Sequence, residues 1–277
     1  MGKKKIFWLL GAVVCIAFAL IFVLGNPKPV PLLPGSELEV HFLDVGKGDA
    51  IFFKSGNRTM LTDCGEKGQG DAVSNYIMDT GVYSLDYLVI THTDSDHMGG
   101  CPEVLGNLRV KNVIMDGQTR STASYNETVA LSANSTRIVA KKYDEYYLDK
   151  ARIRVLHANI GSSEPNQNSI VFMLYDGNFT LLMGADCDLG CETDLLKEDI
   201  DADVLKVAHH GSKYGSSEGF LQKVTPQLAV IETGANSYGH PANETLERLR
   251  NAGAEILRTD LNGTIVLETN GSGYVLK

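Results

Sequence analysis

Short apolar, β-branched runs alternate along most of the chain with segments whose apolar residues recur at helical spacing. The runs predict strands at residues 38–43, 50–53, 59–62, 86–91, 110–115, 137–140, 152–157, 170–175, 179–183, 204–208, 228–231, 255–258, 264–267 and 274–276. The helical spacing predicts helices at residues 71–79, 122–133, 187–196 and 241–251. Strands mixed with helices in both halves of the chain indicate an α/β fold.

The N-terminal segment has a different pattern from the rest of the chain. Three Lys at positions 3–5 precede nineteen uncharged, apolar residues at 6–24. As a helix, such a stretch spans about 28 Å, close to the thickness of a bilayer's hydrocarbon core. This length favours a transmembrane helix over a cleaved signal segment at residues 1–25; a secreted protein is the alternative. The Lys cluster predicts a cell-membrane protein with its N-terminus inside and its domain outside.

A spacer rich in Pro at residues 26–36 then leads to one domain at residues 37–277. The formal net charge is −9, and removal of residues 1–25 with their three Lys leaves −12. A protein that grips long duplex DNA usually presents a basic face. The predicted domain has no Lys/Arg run beyond Lys141-Lys142, so its charge pattern gives no basic face for a long duplex.

Four Cys lie in the predicted domain: Cys64, Cys101, Cys187 and Cys191. Outside the cell they can form one or two disulfides. Four free, buried thiols are an equal alternative, and the irregular spacing disfavours a zinc site made of thiolates.

A cluster of metal-binding residue types follows the strand predicted at residues 86–91. His92, Asp94, Asp96 and His97 fall within six positions, in a loop at the end of that strand. Imidazole nitrogen and carboxylate oxygen suit Zn²⁺, Mn²⁺ and Fe. Four such side chains exceed what one tetrahedral ion with an open position needs, so we predict two metals. An ordinary turn rich in Asp and Thr is the alternative interpretation.

Two later strands are predicted to end in residues of the same types. The strand at 179–183 leads to Asp186, and the strand at 204–208 ends in His209 and His210. Three such strand ends predict a convergent metal site. Adjacent residues of a strand face opposite sides, so we expect only one of the two His to bind metal. We assign metal binding to His210, and a hydrogen-bonding or acid role at the substrate to His209.

These segments resemble the metallo-β-lactamase superfamily, and within it the ComEC-like hydrolase domains. The resemblance covers about residues 38–268 and rests on HFLDVGKGDA at 41–50, LTDCG at 61–65, the His92 loop, GAD at 184–186, HHGS at 209–212 and YGHP at 238–241. Asp94 replaces the second His of the common superfamily loop, as in the ComEC-like branch, and Lys47 stands where the family usually has Gln. His157, the only His between the His92 loop and Asp186, precedes the loop NQNS at 166–169, which matches the ComEC-like pattern. The resemblance therefore argues against a third nitrogen ligand at the first metal.

The resemblance implies an αββα sandwich with two divalent ions. By correspondence, Asp186 bridges the ions and His92 and Asp94 bind the first. Asp96, His97 and one His of the pair bind the second. The carboxylate at position 94 makes the site harder, which shifts the preference from Zn²⁺ towards Mn²⁺.

Three residues are assigned catalytic roles at this site: His209, Asp96 and His240. His240 is predicted to donate to a phosphate oxygen or to protonate a leaving group. A simple turn residue before Pro241 is the alternative for His240. Asp63 is predicted to orient a ligand His, whereas Asp44 and Asp49 are predicted to lie in an ordinary turn rich in Gly.

The predicted function is an exported, metal-dependent phosphodiesterase, specifically a nuclease that acts on DNA in or near DNA uptake. One alternative is a cell-surface phosphodiesterase for phosphorylcholine on teichoic acid, with Tyr143, Tyr146 and Tyr147 around the choline. Another is a non-catalytic competence accessory protein. A β-lactamase or a thioester hydrolase shares the fold, and fold alone does not decide between these functions.

Overall fold

The structure is a computed structural model that describes residues 37–158, 161–162 and 164–277. The predicted membrane helix and the spacer rich in Pro lie outside the described residues. Within those ranges, no helix has both the length and the apolar character needed to cross a bilayer.

The first sheet contains eight strands from both ends of the described chain. Strands β1 to β6 are Leu38–Phe42, Ile51–Ser55, Arg58–Thr62, Ser84–Ile90, Arg109–Met115 and Thr136–Val139, and strands β14 and β15 are Ile265–Thr269 and Tyr274–Leu276. Their order is β15-β14-β1-β2-β3-β4-β5-β6. Strands β1, β2 and β3 pair antiparallel, and the neighbours from β3 to β6 pair parallel.

The second sheet contains the seven strands that lie between β6 and β14 in sequence. Strands β7 to β13 are Glu145–Leu148, Ala151–His157, Val171–Asp176, Phe179–Met183, Val204–Lys206, Leu228–Ile231 and Glu255–Arg258. The sheet runs from β13 to β7 in unbroken reverse order. Strands β10 to β13 pair parallel, so their carboxyl ends meet at one edge.

Eight α-helices accompany the sheets in the described ranges. Helices α1 to α8 are Gly70–Asp79, Ser95–Met98, Cys101–Asn107, Ala123–Leu131, Leu189–Leu195, Glu218–Val224, Asn243–Asn251 and Thr259–Asn262. In α1, Val73 and Ile77 are buried one turn apart, as expected for a helix that lies on a sheet.

The side-chain alternation of the strands divides the core into three layers. Val40 and Phe53 of the first sheet pack against Ile153 and Leu174 of the second. The opposite face of the first sheet packs against α1 and α3. The opposite face of the second sheet packs against α5, α6 and α7. The fold is therefore an αββα sandwich of two sheets with helices outside.

Several predicted boundaries differ from the structure. Strand β11 ends at Lys206 rather than at position 208, and α5 begins at Leu189 rather than at 187. Strand β7 and helices α2, α3, α6 and α8 have no counterpart among the predicted elements. Helices α2 and α8 have four residues each, too short for a helical period to emerge from sequence.

Candidate metal centre

The His92 segment leaves the end of β4 and turns into α2. The predicted loop therefore contains one helical turn at Ser95–Met98, and Asp96 and His97 lie in it. The rings of His92 and His97 are fully buried, with centroids 4.1 Å apart. The turn thus brings two imidazoles together at the carboxyl end of the parallel strands.

The two carboxylate oxygens of Asp186 face different histidines. Oδ1 lies 3.2 Å from Nε2 of His97 and 3.8 Å from Nε2 of His210. Oδ2 lies 3.9 Å from Nε2 of His92 and 3.8 Å from Nε2 of His209. A carboxylate with imidazoles at both oxygens is placed to bridge two ions.

Two carboxylates extend this arrangement on either side of Asp186. Oδ2 of Asp94 lies 3.8 Å from Nε2 of His92, and Oδ2 of Asp96 lies 3.7 Å from Nε2 of His210. We call one group the first half-site: His92, Asp94 and Oδ2 of Asp186. We call the other the second half-site: Asp96, His97, His210 and Oδ1 of Asp186. All six predicted ligands thus lie together.

Two buried nitrogens of these half-sites have no hydrogen-bond partner among the described residues: Nε2 of His92 and Nε2 of His210. A buried polar atom left unpaired costs about 1–3 kcal/mol. Imidazole nitrogens and carboxylate oxygens are ligands for Zn²⁺, Mn²⁺ and Fe. The donor set and its unpaired atoms fit a pair of divalent ions.

The other ring nitrogen of each buried histidine is held by a partner. Nδ1 of His97 lies 2.8 Å from Oδ2 of Asp63, and Nδ1 of His92 lies 3.0 Å from the hydroxyl of Thr91. That hydroxyl in turn donates to Asp63. Nδ1 of His210 lies 2.9 Å from the carbonyl oxygen of Glu232. These contacts fix the rings with Nε2 towards the half-sites, and Asp63 orients a histidine as predicted.

Without metal, the charges of the site set the protonation of its histidines. Burial lowers the pKa values of His97 and His210, but nearby carboxylates outweigh burial and raise both pKa values, whereas His92 stays neutral. Burial, together with the neighbouring His97, lowers the pKa of His92 to about 3. The ring is therefore neutral, which is the form that binds metal. Burial raises the pKa of Asp186, but His97 and His210 outweigh burial and hold that pKa well below its usual value. The carboxylate is therefore charged.

His209 and His210 lie in a tight left-handed turn within Ala208–Gly211, rather than on a strand. Their φ angles are 50° and 51°, in the left-handed region, which costs on the order of 1–3 kcal/mol per residue. The argument from strand alternation is therefore wrong, because both rings reach Asp186. His210 is buried, whereas the side chain of His209 is 28% exposed. Their separate roles stay predictions.

Residues 43–142 match the family model described as the metallo-β-lactamase superfamily. The chain carries a metallo-β-lactamase domain. ComE operon protein 3 of Bacillus subtilis is 29% identical to it, over 92% of this chain and 35% of that protein. Competence protein ComA of Neisseria gonorrhoeae is 29% identical over 88% of this chain and 34% of that protein. The chain thus spans about a third of the length of these relatives.

Solved structures share the fold of this metallo-β-lactamase domain. YhfI of Bacillus subtilis has a TM-score of 0.58 at 15% identity, over 84% of this chain and 99% of that one. CmlA of Streptomyces venezuelae, a diiron β-hydroxylase, has a TM-score of 0.59 at 12% identity, over 88% of this chain and 55% of that one. Members of the superfamily are generally metal-dependent hydrolases.

A pocket of about 340 Å³ opens onto both half-sites of the metallo-β-lactamase domain. Its lining residues are Lys47, Asp94, Ser95, Asp96, Asp186, His209, His210, Thr233, Asn236, Tyr238 and His240. The ring of His240 lies edge-on to that of His209, with centroids 5.3 Å apart. The structure thus brings the three predicted catalytic residues to one cavity.

Three buried residues with ionisable side chains, Asp49, Lys206 and Glu232, lie beneath the second half-site and were not predicted to belong to it. Asp49 forms an ion pair with Lys206, and its Oδ1 lies 3.3 Å from Nδ1 of His210. The assignment of Asp49 to an ordinary turn is therefore wrong. Glu232 accepts a hydrogen bond from the amide of Ala50. The sequence did carry one signal of this buried network: Lys206 is a charged residue inside the apolar run at 204–208.

Two further residues singled out from the sequence, Asp44 and His157, lie outside both half-sites. Asp44 accepts a hydrogen bond from the amide of Gly46 in an exposed turn, as predicted. Nε2 of His157 lies 3.0 Å from the carbonyl oxygen of Gln167, away from both half-sites.

The three tyrosines considered for a choline pocket lie outside the cavity that opens onto the half-sites. Tyr143 donates to Glu198, Tyr146 packs on Tyr87, and Tyr147 donates to Glu145. The structure therefore gives the choline interpretation no support at these positions.

Two disulfides flank the half-sites, Cys64–Cys101 and Cys187–Cys191. Cys64 directly follows Asp63, and Cys187 directly follows Asp186. Each crosslink therefore fixes the chain next to a residue that contacts or belongs to the half-sites.

Proposed function

We propose that this chain is an exported, dinuclear metal-dependent phosphodiesterase that cleaves nucleic acid. The observation that carries this proposal is Asp186, whose two carboxylate oxygens each face a histidine pair. Two bound divalent ions supply a Lewis acid for a phosphoryl oxygen and a water of lowered pKa. The ligands we propose are His92, Asp94, Asp96, His97, Asp186 and His210.

The residues of the pocket wall suit a phosphodiester. His209 and His240 can donate hydrogen bonds to phosphoryl or leaving-group oxygen, and the ammonium of Lys47 lies 3.4 Å from Oδ2 of Asp96. That cation can hold an oxygen of the phosphate that does not take part in bond breaking. Three donors around one anionic centre favour phosphate over an uncharged ester.

The names of the relatives suggest the polymer. Competence protein ComA is named for competence. Recombination protein 2 of Haemophilus influenzae, named for recombination, is 26% identical over 82% of this chain and 28% of that protein. We therefore propose DNA as the substrate, and a role in or near DNA uptake. The carboxylate at position 94 supports a preference for Mn²⁺ over Zn²⁺.

Hydrolysis assays test this function directly. The full chain, loaded with Mn²⁺ or Zn²⁺, is incubated with single-stranded DNA, duplex DNA and bis-p-nitrophenyl phosphate. We expect cleavage that stops with EDTA and that Asp186→Asn abolishes. If the metal-loaded protein cleaves none of the three substrates, the phosphodiesterase proposal is wrong.

Export is supported by the two disulfides, because cytosolic thiols are usually kept reduced. We propose that the N-terminal segment anchors the domain on the outer side of the cell membrane. Protease added to intact cells is then expected to digest the domain. Protection until the cells are lysed would contradict this orientation.

A further inference from the structure

An aromatic pair forms the outer wall of the pocket beyond the metal half-sites. Tyr238 is 68% exposed although it is a large aromatic residue. Its ring stacks on that of His240, with centroids 5.9 Å apart and an angle of 30° between the planes. His240 in turn contacts His209, which faces Asp186. A row of rings therefore leads from the half-sites to solvent.

The loop that carries the pair is built to hold it in place. The side-chain oxygen of Asn236 accepts hydrogen bonds from the amides of Tyr238 and His240, at 3.1 and 3.0 Å. Its side-chain nitrogen donates to the carbonyl oxygens of Gly234 and His240. One side chain thus closes the whole turn, and the exposed ring does not depend on a bound ligand for its position.

A cation lies between this aromatic pair and the second half-site. Nζ of Lys47 is 5.1 Å from the ring centroid of Tyr238 and 3.4 Å from Oδ2 of Asp96. The loop that carries Tyr238 and the loop that carries Lys47 are in direct contact at Gly234 and Gly46. Their backbones are so close that a Cβ atom on Gly234 would lie 2.5 Å from the carbonyl carbon of Gly46. The sequence of features away from the half-sites is therefore ligand carboxylate, ammonium and exposed aromatic ring.

A nucleotide has the matching sequence of features. A phosphate at the half-sites places its neighbouring sugar-phosphate near Lys47 and the attached base near Tyr238. Aromatic side chains stack on bases of any sequence, and a cation beside them holds the backbone. A choline group does not fit here, because Lys47 already places a positive charge at the ring.

We propose that Tyr238 and His240 form a stacking subsite for an unpaired nucleobase, which selects single-stranded nucleic acid as the substrate class. This inference rests on the proposed phosphodiesterase function. In a duplex, both faces of each base are covered by neighbouring bases, so a paired base cannot stack on Tyr238 without being extruded. The formal charge of −9 agrees, because an acidic chain grips a long duplex backbone weakly.

Equilibrium binding tests the subsite. The full chain is loaded with Mn²⁺ and titrated into a labelled single strand of thymidine phosphorothioate, whose linkages resist cleavage. The same titration is made with an abasic strand of equal length and with a duplex. Fluorescence anisotropy gives Kd for each. A ribose strand shows whether the source of the unpaired base is DNA, RNA or both.

We expect Tyr238→Ala to raise Kd for the base-bearing strand at least about fivefold, the effect of losing one stacked base. Kd for the abasic strand should change less than twofold. Tyr238→Trp should restore binding. Tyr83→Ala is the matched control, since Tyr83 is also 68% exposed and lies before β4, away from the pocket.

Two results would overturn the inference. One is an equal effect of Tyr238→Ala on base-bearing and abasic strands, and the other is no effect on either. Wild-type hydrolysis of single-stranded DNA, duplex DNA and bis-p-nitrophenyl phosphate is measured in parallel. Failure with all three contradicts the phosphodiesterase proposal. Cleavage of any of them, together with strand binding that Tyr238→Ala leaves unchanged, contradicts only the stacking subsite.

Discussion

Lys206 and Asp49 form an ion pair in which both side chains are buried. The pair lies against the second half-site, because Oδ2 of Asp49 is 3.8 Å from Nδ1 of His97 and its Oδ1 is 3.3 Å from Nδ1 of His210. Burial lowers the pKa of Lys206, but Asp49 and Glu232 outweigh burial and raise that pKa. The ammonium therefore stays charged inside the protein and holds the carboxylate beneath both histidines.

Removal of this ammonium leaves Asp49 buried without its cation. We expect Lys206→Met to lower the free energy of unfolding by about 3–5 kcal/mol, the usual cost of breaking a buried pair. The double variant Lys206→Met with Asp49→Asn should lose less than the sum of the single variants. Urea denaturation of all four proteins measures this coupling, and additive losses would show that the pair does not act as a unit.

The two adjacent histidines are expected to respond differently to truncation. His210 is buried with an unpaired Nε2, so His210→Ala should lose about one bound ion together with activity. His209 is partly exposed on the pocket wall, so His209→Ala should keep its metal and lower turnover about a hundredfold. Elemental analysis of bound metal and kcat, measured for both variants, distinguish the two roles. Loss of metal from His209→Ala with retention in His210→Ala reverses the assignment.

The two disulfides close loops of very different length, with sequence separations of 37 and 4. Loop closure restricts the unfolded chain more when the loop is longer. We expect removal of Cys64–Cys101 to cost about 4 kcal/mol and removal of Cys187–Cys191 about 2 kcal/mol. Paired Cys→Ala variants, compared by urea denaturation, give both values. The opposite ranking would rule out this loop-entropy explanation.

The lowered pKa of Asp86 predicts that the folded protein loses stability in acid. Burial raises its pKa, but hydrogen bonds from Lys111, Thr59 and Arg58 outweigh burial and lower that pKa from 3.8. The unfolded chain therefore binds this proton more tightly. The stability from Asp86 is complete above the unfolded pKa of 3.8 and is lost as pH falls through the folded pKa.

We therefore expect Asp86→Asn to lower the free energy of unfolding by about 1–3 kcal/mol near neutral pH. The difference from wild type should shrink once pH falls below about 4. Urea denaturation across this range measures it. A difference that does not depend on pH would mean that the charge of Asp86 is not what the hydrogen bonds stabilise.

The residues that gather around Asp186 could be predicted from sequence because their signals are local. His92, Asp94, Asp96 and His97 follow one apolar strand, and Asp186 follows another. Strand alternation and residue type are properties of short segments, so the α/β class and the convergent strand ends followed from them. The αββα arrangement came from the resemblance to the superfamily.

The network around Asp49 could not be predicted in the same way. Asp49 precedes β2 in the first sheet, whereas Lys206 ends β11 and Glu232 follows β12 in the second. Their contact depends on how the two sheets face each other, which no local pattern encodes. The strand predicted up to His209 was wrong for a related reason. Packing around the site overrides the strand propensity of residues 204–208 and imposes the left-handed turn.

The central claim is that Asp186 bridges two divalent ions, and metal stoichiometry tests it most directly. The full chain is dialysed to equilibrium against Mn²⁺, and in parallel against Zn²⁺, and bound metal is measured by elemental analysis. Asp176→Asn is the control, since Asp176 is a buried carboxylate at the end of β9, outside both half-sites. The account predicts two ions per chain for wild type and for this control, and fewer than one for Asp186→Asn. Wild-type protein that binds less than one equivalent of either metal would contradict it.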